Sequence, residues 1–180
     1  MATRKKHKIG GKILLLFAII ILLIFISVPF SNKPLSLSTI QNTLTLPELS
    51  TEGFVEVKPE AAISGNIGII ALTGGCYQIT ATTDLTQAQS IENGLLGKID
   101  FRPSTHNIMK SIFDNLDIKV LMVKIVDLRN NTYFGKIILQ QGNKLINLDS
   151  RPSDGIAIAV RTNSSIYIKE TLLKQGSYIC

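Results

Sequence analysis

An uninterrupted apolar run near the N-terminus constrains this chain of 180 residues more than any other feature. Residues 13–28 read ILLLFAIIILLIFISV, with one serine and no charged side chain. Flanking glycines, Pro29 and Phe30 extend the run to the roughly 17–25 residues that a membrane-spanning helix needs. No polar face divides the run, which argues against a helix buried in a soluble core. We therefore predict that residues 13–30 form a transmembrane signal anchor within the lipid bilayer, with a cleaved signal peptide as the rival interpretation.

The basic residues around this run predict its orientation. Residues 1–12 contain five Lys or Arg and no acid, whereas Lys33 is the one basic residue in the twenty that follow Phe30. The positive-inside rule then makes residues 1–12 a basic cytoplasmic tail and places the rest of a single-pass membrane protein outside. Residues 31–52 contain eight Ser or Thr and two Pro, which is typical of a linker. We expect a folded domain over residues 53–180.

Charge and cysteine content narrow the class of domain. The formal net charge of +6 comes mostly from the tail, since the chain beyond residue 12 has 14 basic and 13 acidic residues. The charge alone therefore does not indicate a nucleic-acid-binding domain. The two His and two Cys are spread over residues 7–180 and lack the closely spaced ligand pairs of a zinc finger or ribbon. Cys76 and Cys180 could pair in an oxidising compartment, whereas a buried thiol and an idle thiol at a frayed chain end are an equally good interpretation.

Local patterns predict an α+β fold with a mixed or antiparallel sheet and short helices. Three strand patterns follow one another in residues 118–148 with turn residues between them, which predicts an antiparallel meander. The second helix has apolar residues at helical spacing, which predicts an amphipathic stripe of Ile108, Ile112, Phe113 and Leu116. The predicted strands are 53–58, 66–72, 76–81, 118–128, 132–140, 144–148 and 166–168, and the predicted helices are 85–93, one opening at Pro103-Ser104, 152–161 and 170–175.

Two Arg-Pro-Ser stretches stand at predicted helix starts, at residues 102–104 and 151–153. Exposed backbone N–H groups at a helix start, together with an arginine, favour a bound phosphate. Arg102, Arg151 and Ser153 are therefore the candidate phosphate-binding residues. The competing interpretation is structural: Ser153 caps its helix and Arg151 holds its own loop.

Three residues beside these stretches are candidates for catalysis. His106 could move a proton near neutral pH. Asp149 and Asp154 could hold a divalent cation such as Mg²⁺ through their carboxylate oxygens, and activate water with it. The structural alternative is that Asp154 caps a helix, Asp149 pairs with Arg151, and His106 serves packing.

These stretches carry a family resemblance. The segments VKIVDL (123–128), TYFGK (132–136) and DSRPSDGIAIA (149–159), followed by Arg161, resemble the bifunctional nuclease family and its Asp-x-Arg-Pro-Ser-Asp-Ala-Ile-Ala helix start. Upstream, RPSTHN (102–107) is similar to the Arg-Pro-x-Thr-His-Asp element of that family, and residues 77–89 resemble its Leu-Pro-Ile-x-Ile-Gly and Glu-Ala segment. The resemblance covers roughly residues 53–176.

The resemblance implies hydrolysis of RNA and DNA. This chain departs from the family pattern at Asn107, where Asp is usual, at Gln87, where Glu is usual, and at Gly155, where Ala is usual. Two hypotheses follow: a membrane-anchored nuclease that cleaves phosphodiester bonds, or a non-catalytic binding or assembly domain that keeps the fold. Either is compatible with a homo-oligomer.

Overall fold

The computed structural model describes residues 47–180, which form two β-sheets and four helices. The predicted tail, the anchor and residues 31–46 of the linker lie outside the described residues. Within 47–180, no helix is long and apolar enough to cross a membrane. The strands are β1 (Phe54–Glu56), β2 (Lys58–Ser64), β3 (Ile67–Gly74), β4 (Tyr77–Asp84), β5 (Ile118–Arg129), β6 (Thr132–Gln141), β7 (Lys144–Ser150), β8 (Ser165–Lys169) and β9 (Ser177–Tyr178). The helices are α1 (Leu85–Leu95), α2 (Thr105–Asn115), α3 (Pro152–Thr162) and α4 (Glu170–Leu173).

The larger sheet has five strands in the order β1-β8-β5-β6-β7. Strands β5, β6 and β7 form the predicted antiparallel meander. Its first turn uses Asn130 and Asn131 at φ of 48° and 59°, the left-handed conformation that a tight two-residue hairpin requires. Helix α3 connects β7 to β8, which runs parallel to β5. The sequence prediction of a mixed α+β fold is confirmed.

The smaller sheet has the order β2-β3-β4-β9, and its edge strands β2 and β9 were not predicted. Pro59 and the charged residues of the KPEAAIS segment weaken the strand pattern there. Because β2 is an edge strand, the missing N–H of Pro59 is tolerated. The edge position therefore explains a strand that sequence propensity does not indicate.

A disulfide joins Cys76, in the turn before β4, to the C-terminal Cys180. Strand β9 pairs with β4 beside it, with Tyr178 opposite Tyr77. Of the two interpretations of the cysteines, the structure has the disulfide rather than two thiols. The bridge closes a loop across a sequence separation of 104 residues and holds the chain end on the smaller sheet.

The hydrophobic core lies between the two sheets and around α3. Val123, Ile125 and Ile137 of the larger sheet are at most 5% exposed, and Ile156 of α3 is 1% exposed. Helix α1 approaches β3 so closely that a Cβ on Gly68 would lie 2.5 Å from Ala88 Cβ. The absence of a side chain at Gly68 thus lets α1 pack between the smaller sheet and α3.

Helix α2 buries a different face from the one that its apolar stripe predicted. Ile108, Ile112 and Leu116 are 51%, 48% and 53% exposed, and of the predicted stripe Phe113 alone is buried. The inward line is instead His106, Met109 and Phe113, spaced i, i+3 and i+7. A polar histidine occupies the buried line, so apolar periodicity pointed to the wrong side.

The last residues of the predicted linker contact the larger sheet. Lys124 of β5 is 5% exposed, and its Nζ donates to the carbonyl oxygens of Glu48 and Ser50 at 2.7 and 2.6 Å. The same ammonium lies 5.1 Å from the centre of the Phe54 ring. Burial lowers the pKa of Lys124, and the charge of Glu48 opposes this shift. The chain thus packs against the domain from at least Glu48 onwards, before the predicted domain start at residue 53.

Candidate functional site

A polar cluster forms where the N-terminal turns of α2 and α3 meet the side of α1. His106 comes from the first turn of α2, and Asp154 from the first turn of α3. Arg151 precedes α3 as its N-cap residue, and Gln87 and Ser90 project from α1. Each helix begins where the sequence favours it: Ser104 caps α2 by accepting from the Asn107 N–H at 3.3 Å, and Pro152 occupies the first turn of α3.

A chain of hydrogen bonds fixes the orientation of His106. Ser90 Oγ lies 2.9 Å from Nδ1, and Asp154 Oδ1 lies 3.3 Å from Nε2. Arg161 Nη2 donates to the same Ser90 oxygen at 3.2 Å. Because a guanidinium can only donate, the Ser90 oxygen accepts from Arg161 and its hydroxyl proton is available for Nδ1. We therefore assign the ring proton of neutral His106 to Nε2, where it is donated to the Asp154 carboxylate.

The surroundings keep His106 neutral and Asp154 ionised near pH 7. Burial lowers the pKa of His106; the hydrogen bond and charge of Asp154 oppose this shift without cancelling it, and Arg161 and Arg151 add to it. Burial raises the pKa of Asp154, but the hydrogen bonds and charges of Arg151 and His106 outweigh that effect and hold the pKa below its usual value. A neutral imidazole beside a carboxylate can accept a proton as a general base.

The Asp154 carboxylate is already bonded to donors on both oxygens. Arg151 donates from Nε to Oδ2 at 2.8 Å and from Nη2 to Oδ1 at 3.2 Å. With its amide turned to satisfy both neighbours, Gln87 donates to Asp154 Oδ1 at 3.2 Å and accepts from Arg151 Nη2 at 2.9 Å. Among the described residues no hydrogen bond uses Arg151 Nη1, so this nitrogen keeps two N–H groups for a ligand.

These groups surround an open cavity of about 320 Å³. The cavity is large enough for a phosphate group, because small-ligand pockets begin at roughly 300 Å³. Its lining combines the guanidinium, the carboxylate and the imidazole with neutral hydroxyl and amide groups. The lining residues that bear on its chemistry are Gln87, Ser90, Thr105, His106, Arg151 and Asp154.

The structure brings together three of the six predicted site residues: His106, Arg151 and Asp154. Ser153 lies next to them in α3, but it is 8% exposed and lines a different cleft. Arg102 is exposed in the loop between α1 and α2 and makes no hydrogen bond to another described residue. The six therefore do not form one site.

Asp149 is separated from Asp154 by the larger sheet. It is opposite Lys136 in the β6–β7 register, its carboxylate lies 3.7 Å from that ammonium, and its side chain is 93% exposed. Lys136 lies on the sheet face that carries Lys124, whereas α3 covers the other face. Residues 47–180 contain no group of three His, Cys, Asp or Glu placed to hold a metal. The two carboxylates thus do not form the joint metal site that the sequence predicted.

Ser90 and Arg161 were not among the predicted site residues. Arg161 of α3 bonds to α2 and to its own helix. Its Nε donates to Asn107 Oδ1, and its Nη1 donates to the Ala157 carbonyl at 2.7 Å. Gln87 and Asn107, noted only as departures from a family pattern, each contact an arginine. The sequence does hold one signal for Ser90, a line of polar residues at 87, 90 and 93 that runs beside the apolar line of Ala88, Ile91 and Leu95.

Comparisons with known proteins find a family match over the part of the chain that contains the cluster. The family model described as the bifunctional nuclease domain matches residues 78–179, which include every residue of the cluster. An uncharacterised protein of Mycobacterium tuberculosis is 33% identical over 78 residues, covering 43% of this chain and 46% of that protein. Bifunctional nuclease 1 of Arabidopsis thaliana is 31% identical over 74 residues, covering 39% of this chain and 23% of that protein. The match thus spans less than half the length of each relative.

Proposed function

The chain belongs to the bifunctional nuclease domain family, and from this premise we propose that it hydrolyses phosphodiester bonds of RNA or DNA in the cavity around His106. The observation that carries the proposal is that an imidazole from the start of α2 meets a carboxylate and an arginine from the start of α3 at one open cavity. Family membership supports nuclease-type chemistry, and we assign that chemistry to this cavity because it groups the three side chains.

Arg151 binds the scissile phosphate in this proposal. Its Nε and Nη2 are held by Asp154 and Gln87, which orients the guanidinium plane. The Nη1 N–H groups then donate to a non-bridging phosphate oxygen, a charge-assisted contact that strengthens as charge builds up in the transition state.

His106 acts as the general base for the attacking water in this proposal. An attacking water gives one proton to the Ser90 oxygen while the Ser90 hydroxyl proton passes to Nδ1, and the hydroxide forms the new bond to phosphorus. The bond between phosphorus and the leaving sugar oxygen breaks, and that oxygen takes up a proton from the imidazolium, which returns to neutral imidazole. Asp154 stabilises the imidazolium through its contact with Nε2. No step in this scheme requires Asp149 or Arg102.

A divalent cation such as Mg²⁺ stays a prediction from the sequence. The cavity offers one carboxylate, and both of its oxygens already accept hydrogen bonds. These residues therefore do not fit a carboxylate-bound metal, and we derive no step through one. Cleavage assays with Mg²⁺, with Mn²⁺ and with EDTA test whether the activity needs a divalent cation.

The test is cleavage of single- and double-stranded RNA and DNA by the full chain purified in detergent. We expect His106→Gln to reduce the rate by 10²-fold or more, the usual contribution of a general base. The matched control is His7→Gln, the other histidine of the chain, which should leave the rate unchanged. Absence of cleavage by the wild type under all metal conditions, or equal activity of both variants, would contradict the nuclease proposal. Salt-insensitive binding of a protein partner by an inactive wild type would instead favour the non-catalytic alternative.

We also propose that residues 13–30 anchor the domain in a bilayer with residues 1–12 in the cytoplasm. The apolar run and the basic residues before it support this topology. Protease added to intact cells should remove the domain; protection until lysis would contradict the orientation.

We propose, finally, that a second copy of the chain packs on the exposed α2 stripe of Ile108, Ile112 and Leu116. Such a stripe of apolar residues is typical of an interaction surface. Light scattering should show that Ile112→Glu lowers the molar mass of the assembly. The control Ile63→Glu changes an isoleucine of similar exposure on β2 and should not. A monomeric wild type would contradict this proposal.

A further inference from the structure

A second cleft opens on the other side of Arg151. It has a volume of about 450 Å³ and lies between residues 80–83 of β4, the β5–β6 hairpin at residues 131–133, and the first turn of α3. Arg151 lines both this cleft and the cavity around His106. A ligand whose phosphate contacts Arg151 is therefore next to the second cleft.

The inner end of this cleft is apolar. Ile70, Ala81, Tyr133 and Pro152 line both the cleft and a small apolar space of about 40 Å³ beneath it, between the two sheets. Towards the opening the lining changes to threonines of β4, Asn131 and Thr132. Apart from Arg151 at the junction, no lining residue of the cleft carries a charge.

We propose that this cleft is a nucleobase subsite, which takes the base next to the phosphate that Arg151 binds. This inference rests on the proposed function and specifies which part of the substrate lies outside the cavity around His106. A base has flat apolar faces and a polar edge, and the cleft pairs an apolar floor with a rim of hydroxyl and amide groups. Its volume lies within the roughly 300–1,000 Å³ of small-ligand pockets.

Tyr133 is the residue expected to contact the base face. It is half-buried at the boundary between the apolar floor and the polar rim. Aromatic side chains hold unpaired bases by stacking without demanding one sequence. Burial also raises the pKa of Tyr133, so its hydroxyl keeps its proton at neutral pH and can donate to a base edge.

The subsite implies a preference for single strands or frayed ends. A base that is stacked and paired in a nucleic-acid duplex must first leave the duplex to enter a cleft between two β-sheets. Unstacking and unpairing the base costs a few kcal/mol. Sequence-tolerant recognition of single strands commonly combines such a base contact with a phosphate contact.

The experiment measures binding of adenosine 5′-monophosphate, ribose 5-phosphate and inorganic phosphate to the full chain by calorimetry. We expect adenosine 5′-monophosphate to bind about tenfold or more tightly than ribose 5-phosphate, as one base–aromatic contact provides. Ala81→Leu fills the cleft from its wall and should abolish this difference while leaving ribose 5-phosphate binding intact. The control Ala71→Leu makes the same change on the neighbouring strand β3, away from the cleft lining, and should preserve the difference.

A second pair of variants keeps the test independent of folding defects. Tyr133→Phe retains the ring and should keep most of the base-dependent affinity, whereas Tyr133→Leu should lose it. Equal affinity of the wild type for the two sugar phosphates, or an unchanged ratio in Ala81→Leu, overturns the subsite. If the base preference is present but no nucleic acid is cleaved, the proposed function fails and the subsite stands. Cleavage without a base preference overturns the subsite alone.

Discussion

Replacing Asp154 with asparagine tests the polar cluster most directly. The substitution keeps the size of the side chain but removes the charge that Arg151 and His106 contact. An asparagine amide also presents an NH₂ group to at least one of these donors. The variant should fold less stably, and His106 should become harder to protonate.

The structure sets the size of the stability loss. The Arg151 contact contributes about 0.5 kcal/mol, because the arginine side chain is 63% exposed and solvent screens the pair. The hydrogen bond from the largely buried His106 contributes about 1 kcal/mol. An acidic charge in the first turn of α3 contributes about 0.5 kcal/mol through the helix dipole. Asp154→Asn should therefore reduce the free energy of unfolding by about 2 kcal/mol.

Urea unfolding at pH 7 measures this loss, with Asp114→Asn as the matched control. Asp114 is an exposed carboxylate that contacts Lys110 on the same helix, so its loss should change the free energy of unfolding by less than about 0.5 kcal/mol. Equal effects of the two substitutions would refute the argument that the Asp154 contacts stabilise the domain.

Histidine NMR provides a second measurement, because the chain has only two histidines. In the wild type the Asp154 charge raises the pKa of His106 against the larger effect of burial. Asp154→Asn should therefore lower this pKa further. An unchanged or higher pKa would show that the contact between Nε2 and Asp154 is not formed in solution.

Three further predictions follow from single contacts. Burial lowers the pKa of His106 below 6.5, so just below that pH the unfolded chain binds more protons than the folded chain. The free energy of unfolding should therefore fall as the pH drops below about 6.5. Urea unfolding of a His106→Gln variant should lack this part of the pH dependence. Cys180→Ser should reduce the free energy of unfolding by up to about 4.7 kcal/mol, the entropy of a loop of this length, and a wild-type midpoint that is insensitive to reductant would contradict the role of the Cys76 bridge. Gly68→Ala should lower the melting temperature through a loss of about 1–3 kcal/mol, because the new Cβ meets Ala88; an unchanged melting temperature would show that α1 can move away from β3.

The sequence determined the elements whose physics is local. Strands β5, β6 and β7 are neighbours in the chain and are joined by Asn130-Asn131 and by a Gly142 turn, so alternation and turn chemistry are sufficient to predict their pairing. The start of α2 was equally readable, because Ser104 is a capping residue and Pro103 precedes it. Family membership was also encoded locally, in the motif at residues 149–159.

Only the tertiary structure decided which side of each element meets the core. The apolar stripe of α2 is real, yet it faces outward, because the line that contains His106 and Phe113 packs against the domain instead. Asp149 and Asp154 are five residues apart in sequence, but the alternation of β7 directs the first to the face opposite the one that α3 covers. Periodicity defines a face, and it does not say which partner that face will meet.

The cluster itself could not be derived from the sequence because its contacts are long-range. His106 and Asp154 are 48 residues apart, and Ser90 and Arg161 are 71 apart. Their contacts exist because α1, α2 and α3 converge, and that convergence depends on the packing of buried side chains such as Ile91, Phe113 and Ile156. The hydrophobic effect is non-directional and depends on the apolar area that is buried. A local sequence pattern therefore does not specify which polar groups the packing of the helices brings together.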